Sequence, residues 1–193
     1  MIINKQHRFI YIHVPRTGGT SIRQAWKDLD KNGLVDHSCK IGRMRKKHVT
    51  VRELRCVGKL NDCEFDRYFK FGFIRNPWDR VYSLYCKHRE QSDINCKKGF
   101  KYWLFDELQL HQQFQKRPAW HFLRGVDYVA RFESFEKEWD YIFDKVGMPR
   151  IDIPHLFKYQ EAGTAYRDLY DDEMRAFITR YHYEDIERGE YTF

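Results

Sequence analysis

The sequence predicts an α/β layered domain with a largely parallel central sheet flanked by helices, and three strand-to-helix passages carry that expectation. Phe9–Ile22, Tyr68–Tyr85 and Tyr128–Val146 each run from a short apolar stretch into apolar residues at three- and four-residue spacing. Strands alternating with helices build parallel sheets, because each helix returns the chain to start the next strand from the same end. In such sheets ligands sit beyond the carboxyl ends of the strands. A chain of 193 residues with 42% hydrophobic content suits a single compact domain, here 1–193.

In chain order, a strand over Phe9–His13 feeds a helix over Gly18–Leu29 marked by Ile22, Trp26 and Leu29. Residues 30–47 read as a loop. Thr50 and Glu53 form a capping box, and Val49 with Leu54 is spaced for a hydrophobic staple, which predicts a helix over Val51–Lys59. Tyr68–Ile74 is a buried strand, followed by Asn76 as N-cap and Pro77 at the first helical position. Along that helix Asn76, Asp79, Arg80 and Ser83 share one side, and Val81, Leu84, Tyr85 and His88 another. A polar stretch, Glu90–Gly99, precedes an aromatic helix over Phe100–Phe114.

A third strand, Tyr128–Phe132, leads to a helix capped by Ser134, striped by Phe135, Trp139, Ile142, Phe143 and Val146, and ended by Gly147 and Pro149. Residues 150–170 read as irregular, and Asp171 opens a last helix with Met174, Phe177, Ile178 and Tyr181. Aromatic residues make up 17% of the chain and fall mostly on these stripes, so they read as core.

Several function classes fall away on composition. Five cysteines form no C-x-x-C pair, which gives no support to a metal site and reads as reduced thiols. No apolar run reaches the roughly 18–20 residues that span a bilayer, and no secretion signal opens the chain, so a cytoplasmic protein without a membrane partner is expected. The net charge of +7, concentrated in part at Arg43-Met-Arg-Lys-Lys-His48, favours anionic ligands. No nucleic-acid recognition signature accompanies it, and nucleic acid is not an expected partner.

The first strand-helix passage reads His13-Val-Pro-Arg-Thr-Gly-Gly-Thr-Ser21. Backbone N–H groups of a tight turn converge there with those of a helix start, Thr17, Thr20 and Ser21 add hydroxyls, and Arg16 adds a planar cation. Phosphate or sulfate is the natural occupant. A nucleoside-triphosphate loop of the form G-x-x-x-x-G-K-[ST] is absent from the sequence.

Pro15-Arg-Thr-Gly-Gly-Thr-Ser21 together with Arg75-Asn-Pro-Trp-Asp-Arg-Val-Tyr-Ser83 resembles the paired signatures of the carbohydrate-type sulfotransferases, and the likeness extends through Tyr128-Val-Ala-Arg-Phe-Glu133 and Tyr166-Arg-Asp-Leu-Tyr-Asp-Asp172 to Tyr191-Thr-Phe193. The resemblance implies a P-loop-like three-layer fold. It also implies a donor, 3′-phosphoadenosine 5′-phosphosulfate (PAPS), with adenosine 3′,5′-bisphosphate (PAP) as product, no metal, and a hydroxyl-bearing acceptor, most plausibly a carbohydrate. By the same likeness Arg16, Thr17, Gly18, Gly19, Thr20 and Ser21 hold the 5′-phosphosulfate, and Arg75 and Ser83 hold the 3′-phosphate.

That family often carries lysine where Arg16 stands. Arginine stays charged at any working pH, so Arg16 is assigned catalytic electrostatic stabilisation rather than proton donation. Because the family carries a catalytic histidine or glutamate between the two motifs, His48 is the expected base, with His13 second and Glu53 third. Asp79 reads as a helix-start acid with Arg80 as its ion partner or a further cofactor contact, and the irregular segment 155–167, with Gly163, as a lid. Two other readings stay open: a kinase-like phosphotransferase dependent on magnesium, and a non-catalytic module that binds anionic ligands.

Overall fold

The computed structural model describes residues 1–29, 35–36, 39–41, 44–46, 48–91, 94–110, 117–152 and 166–193. The order is β1 (Ile2–Asn4), β2 (Phe9–Ile12), α1 (Gly19–Leu29), β3 (Val35–Asp36), β4 (Cys39–Ile41), β5 (Met44–Lys46), α2 (Val51–Cys56), α3 (Asp62–Arg67), β6 (Phe69–Ile74), α4 (Pro77–Glu90), α5 (Phe100–Leu110), α6 (Ala119–Leu123), β7 (Tyr128–Arg131), α7 (Phe135–Val146), α8 (Asp172–Tyr181) and α9 (Tyr183–Gly189). Residues 111–114 of the expected aromatic helix and residues 155–165 of the expected lid lie outside the described residues. The backbone forms two compact units, residues 1–74 with 119–156 and residues 75–118 with 157–193.

The first unit is built on a five-stranded sheet in the order β3-β1-β2-β6-β7. β2, β6 and β7 are parallel, with Ile12 opposite Gly72 and Phe73 opposite Ala130, while β1 joins β2 and β3 in antiparallel pairs. The parallel core is the part that strand-helix alternation predicts. β1 was not legible because Ile2-Ile-Asn4 is too short to show a period, and it adds its antiparallel edge through a turn at residues 5–8. The expected loop at 30–47 carries three short strands as well, β3 on the sheet edge and β4 paired with β5.

Side-chain alternation along the strands separates two faces. Phe9, Tyr11, Phe71 and Phe73 point to a core shared with Ile22 and Trp26 of α1 and with Trp139, Ile142 and Phe143 of α7. Phe71 and Trp139 meet edge-on at 5.9 Å, and Phe9 and Trp26 approach to 4.9 Å, geometries that add about 0.5–1.5 kcal/mol per pair beyond area burial. On the opposite face Leu123 of α6 occupies the space a Cβ on Gly72 would fill, so helices cover both sides of this sheet.

The capping box at Thr50 is present, with Thr50 N–H donating to Glu53 at 2.8 Å and Glu53 N–H donating to Thr50 Oγ1 at 3.0 Å. Its helix stops at Cys56 rather than Lys59, because Gly58 takes a left-handed φ of 68°. A second capping box of the same form, at Asn61 and Glu64, starts α3. Ser134 makes no side-chain cap to α7: its φ of −111° and ψ of 31° lie outside the extended geometry an N-cap hydroxyl needs.

The second unit packs around the start of α4. Asn76 Oδ1 accepts from Trp78 N–H at 3.1 Å, and Asn76 Nδ2 donates to the Thr192 carbonyl at 3.1 Å, so one side chain caps the helix and ties down the carboxyl-terminal tail. Trp78 packs edge-on against Phe193, and the Tyr170 hydroxyl donates to the Trp78 carbonyl at 2.9 Å. The expected last helix is two, α8 and α9, joined at His182.

His182 is fully buried within 3.4 Å of the Asp185 carboxylate, which in turn lies 3.9 Å from the Arg80 guanidinium. Burial holds the imidazole pKa below its ordinary 6.5, with Asp185 opposing that shift and Arg80 adding to it. The unfolded chain therefore takes up this proton first as pH falls, and the stability His182 contributes is intact above about 6.5 and lost below it. His182→Gln is expected to flatten the decline of Tm between about pH 7 and 5, measured as the difference between the two titrations.

Candidate active site

The expected anion turn begins where β2 ends. The Thr17 hydroxyl is fully buried and donates to the Val14 carbonyl at 3.0 Å, which closes the turn from inside. That proton is committed, so any donor Thr17 offers an anion is its backbone N–H. Beneath the turn, burial raises the Tyr11 hydroxyl pKa above its ordinary range.

Arg16 and Gly18 take left-handed φ values of 69° and 75°. Left-handed residues at alternate positions turn successive N–H groups toward one concave side, the arrangement that cradles anions. For arginine that conformation is strained by roughly 1–3 kcal/mol, a cost found where a turn is held for a purpose. At Gly18 a side chain would be strained: φ is positive, and a Cβ would stand 3.1 Å from the Phe132 ring. Thr20 is exposed and Ser21 half-buried on the first turn of α1, whose Ile22 N–H closes onto the Gly18 carbonyl at 3.2 Å.

Gly19 is a glycine for a different reason. A Cβ there would overlap Nε2 and Cδ2 of the His13 imidazole, so the ring lies directly against the helix start. His13 is 5% exposed, with Tyr11 stacked at 6.0 Å on one side and His48 at 4.2 Å on another. His48 Nδ1 lies 2.9 Å from the His13 carbonyl oxygen. A carbonyl only accepts, so Nδ1 carries the proton and Nε2 of the neutral ring presents a lone pair. Glu53, the third candidate base, spends a carboxylate oxygen on its capping box.

The first unit thus gathers His13, Arg16, Thr17, Gly18, Gly19, Thr20, Ser21 and His48 around one turn and one helix start. Arg75 and Ser83 belong to the second unit. Arg75 directly follows β6 in the chain, is 9% exposed, and its Nε donates to Asp79 Oδ2 at 2.7 Å. Ser83, 3% exposed, lies two turns into α4. The expected Asp79–Arg80 pair is replaced: Asp79 pairs with Arg75, while Arg80 is buried, donates to the Arg117 carbonyl at 2.7 Å and faces Asp185. The four-residue spacing of Arg75 and Asp79 was a readable signal.

A sequence model described as the sulfotransferase family matches residues 1–192. The chain belongs to the sulfotransferase family. It is therefore a sulfotransferase dependent on PAPS as sulfuryl donor. A protein of Archaeoglobus fulgidus, described as uncharacterized, is 30% identical over 90 residues, which are 44% of this chain and 72% of that protein. No solved structure matches this sulfotransferase. Among its described residues, no helix is long and apolar enough to cross a membrane.

Proposed function

We propose that this sulfotransferase moves the sulfuryl group of PAPS by in-line transfer onto an acceptor hydroxyl, of a carbohydrate, within one domain over 1–193 of P-loop-like architecture. The observation that carries the catalytic part is the hydrogen bond from His48 Nδ1 to the His13 carbonyl, made beside the glycine turn. PAPS supplies the sulfuryl group when bound. Arg16 neutralises charge on its phosphosulfate oxygens, the N–H groups of residues 17–21 and the hydroxyls of Thr20 and Ser21 orient it, and His48 Nε2 takes the proton of the acceptor hydroxyl.

Arg75 and Ser83 are proposed as ligands of the 3′-phosphate. Support comes from the likeness of Arg75-Asn-Pro-Trp-Asp-Arg-Val-Tyr-Ser83 to the second motif of the family. The carbohydrate acceptor rests on the likeness of the Pro15–Ser21 and Arg75–Ser83 motifs to carbohydrate-type members. A cytoplasmic location rests on Cys56, Cys63, Cys86 and Cys96, which are thiols outside any disulfide.

Isothermal titration with PAP in the absence of metal tests the donor site, and labelled PAPS offered to sugars, phenols and peptides tests the acceptor. Binding of ATP only with magnesium would overturn the reading in favour of a phosphotransferase. PAP binding with no turnover on any acceptor would leave a binding module instead. Arg75→Ala is expected to weaken PAP by roughly 10–150-fold, the loss of a charge-assisted bond worth about 1.5–3 kcal/mol. Unchanged PAP affinity in that variant would remove Arg75 from the donor site.

A further inference from the structure

We propose that His13 is a positioning residue whose ring sets the spacing between the donor turn and the His48 base. The proposal rests on the reading of His48 given above. Three contacts meet on this one imidazole. Its edge abuts Gly19 so closely that no Cβ fits there. Tyr11 backs it at an interplanar angle of 21°, and the His48 ring leans on it at 53°. The same residue's carbonyl holds His48 Nδ1–H.

A hydrogen bond to a carbonyl fixes the tautomer of an imidazole but leaves the ring free to pivot about that bond. A flat, buried neighbour on one side removes the pivot. His13 supplies both constraints from one position, its backbone choosing which nitrogen is basic and its ring choosing where that nitrogen points. Because the Nε2–Cδ2 edge of the same ring rests on the first residue of α1, the base and the helix start share a single spacer. Near-attack geometry is sensitive to such spacing, and a displacement of about 1 Å costs up to roughly 10²-fold in rate.

The carbonyl survives any side-chain replacement, so variants isolate the ring. In His13→Ala, the ¹⁵N NMR signature of His48 Nδ1–H is expected to broaden and exchange faster with solvent as the ring gains freedom to pivot, with kcat at saturating PAPS lower by roughly 10–100-fold. In His13→Phe, which keeps a flat wedge without nitrogens, the His48 signature and most of the turnover are expected to persist. His13→Gln takes its place if that variant does not fold.

Two results would overturn the proposal. One is a His13→Ala protein with lower Tm but an unchanged His48 signature and kcat. The other is loss of turnover in His13→Phe (or the glutamine variant) with the His48 signature intact, which would make His13 a chemical participant. The NMR signature needs no turnover, so failure of wild-type protein to bind PAP, or full turnover in His48→Ala, would be recognised as failure of the underlying site reading.

Discussion

His48→Ala is expected to lower kcat by about 10²–10⁴-fold while PAP affinity stays at the wild-type value. The asymmetry follows from geometry. His48 Nδ1 is bound to the His13 carbonyl, and Nε2 is the end proposed to accept the proton. None of the groups proposed to hold the phosphosulfate, from Arg16 to Ser21, is altered by the substitution. The uncharged acceptor hydroxyl is a poor nucleophile until its proton has somewhere to go, so removing the base slows chemistry and leaves donor binding alone. Steady-state kinetics on the best acceptor from the screen, with calorimetry of PAP on the same preparation, measures both halves. Wild-type turnover in the variant would dismiss His48, and a parallel loss of PAP binding would place its role in the donor site.

Gly19→Ala is expected to destabilise the protein by about 1–3 kcal/mol, the usual cost of forcing a methyl into filled space. In a chain of this size that corresponds to a Tm lower by roughly 2–4 °C for each kcal/mol. The reason is local and testable. Gly19 has no left-handed φ, so alanine is conformationally acceptable and, as the first residue of a helix, intrinsically preferred to glycine. The three atoms nearest such a methyl all belong to the His13 ring. The double variant His13→Ala with Gly19→Ala should therefore be more stable than the sum of the two single losses implies, a coupling of the sign that a relieved clash produces. Thermal unfolding of the four proteins reads the cycle. Additive losses would mean that something other than the imidazole excludes a side chain at position 19.

The two glycines of Thr17-Gly-Gly-Thr20 show how far inspection of the chain reaches. A turn demanding glycine was legible, but the two residues are there for separate reasons. Gly18 answers to φ and the Phe132 ring, and Gly19 to an imidazole six residues earlier. Local signals were readable wherever both partners lie within one turn: the capping box at Thr50 and Glu53, the cap at Asn76, the left-handed stop at Gly147. The same rule would have found the box at Asn61 and the Arg75–Asp79 pair. Arg80 was misread because its carboxylate partner, Asp185, is 105 positions away (185 − 80) and no periodicity links them.

The candidate site divides along the same line. His48 could be named from its position between two motifs, but its tautomer could not, since the accepting carbonyl belongs to residue 13 across a separation of 35 positions. Likewise Thr17 looked like one hydroxyl among three, until its burial and its bond to Val14 withdrew it from that set.

By itself the sequence determined the parallel three-strand core and the turn that opens α1, because apolar periodicity, glycine and helix-start chemistry act over a few residues. The tertiary structure decided which nitrogen of His48 is basic, why position 19 is crowded by an imidazole, and which carboxylate faces Arg80. Those outcomes depend on rings and charges brought together by packing, and contact between distant positions leaves no trace in the spacing of residues along a chain.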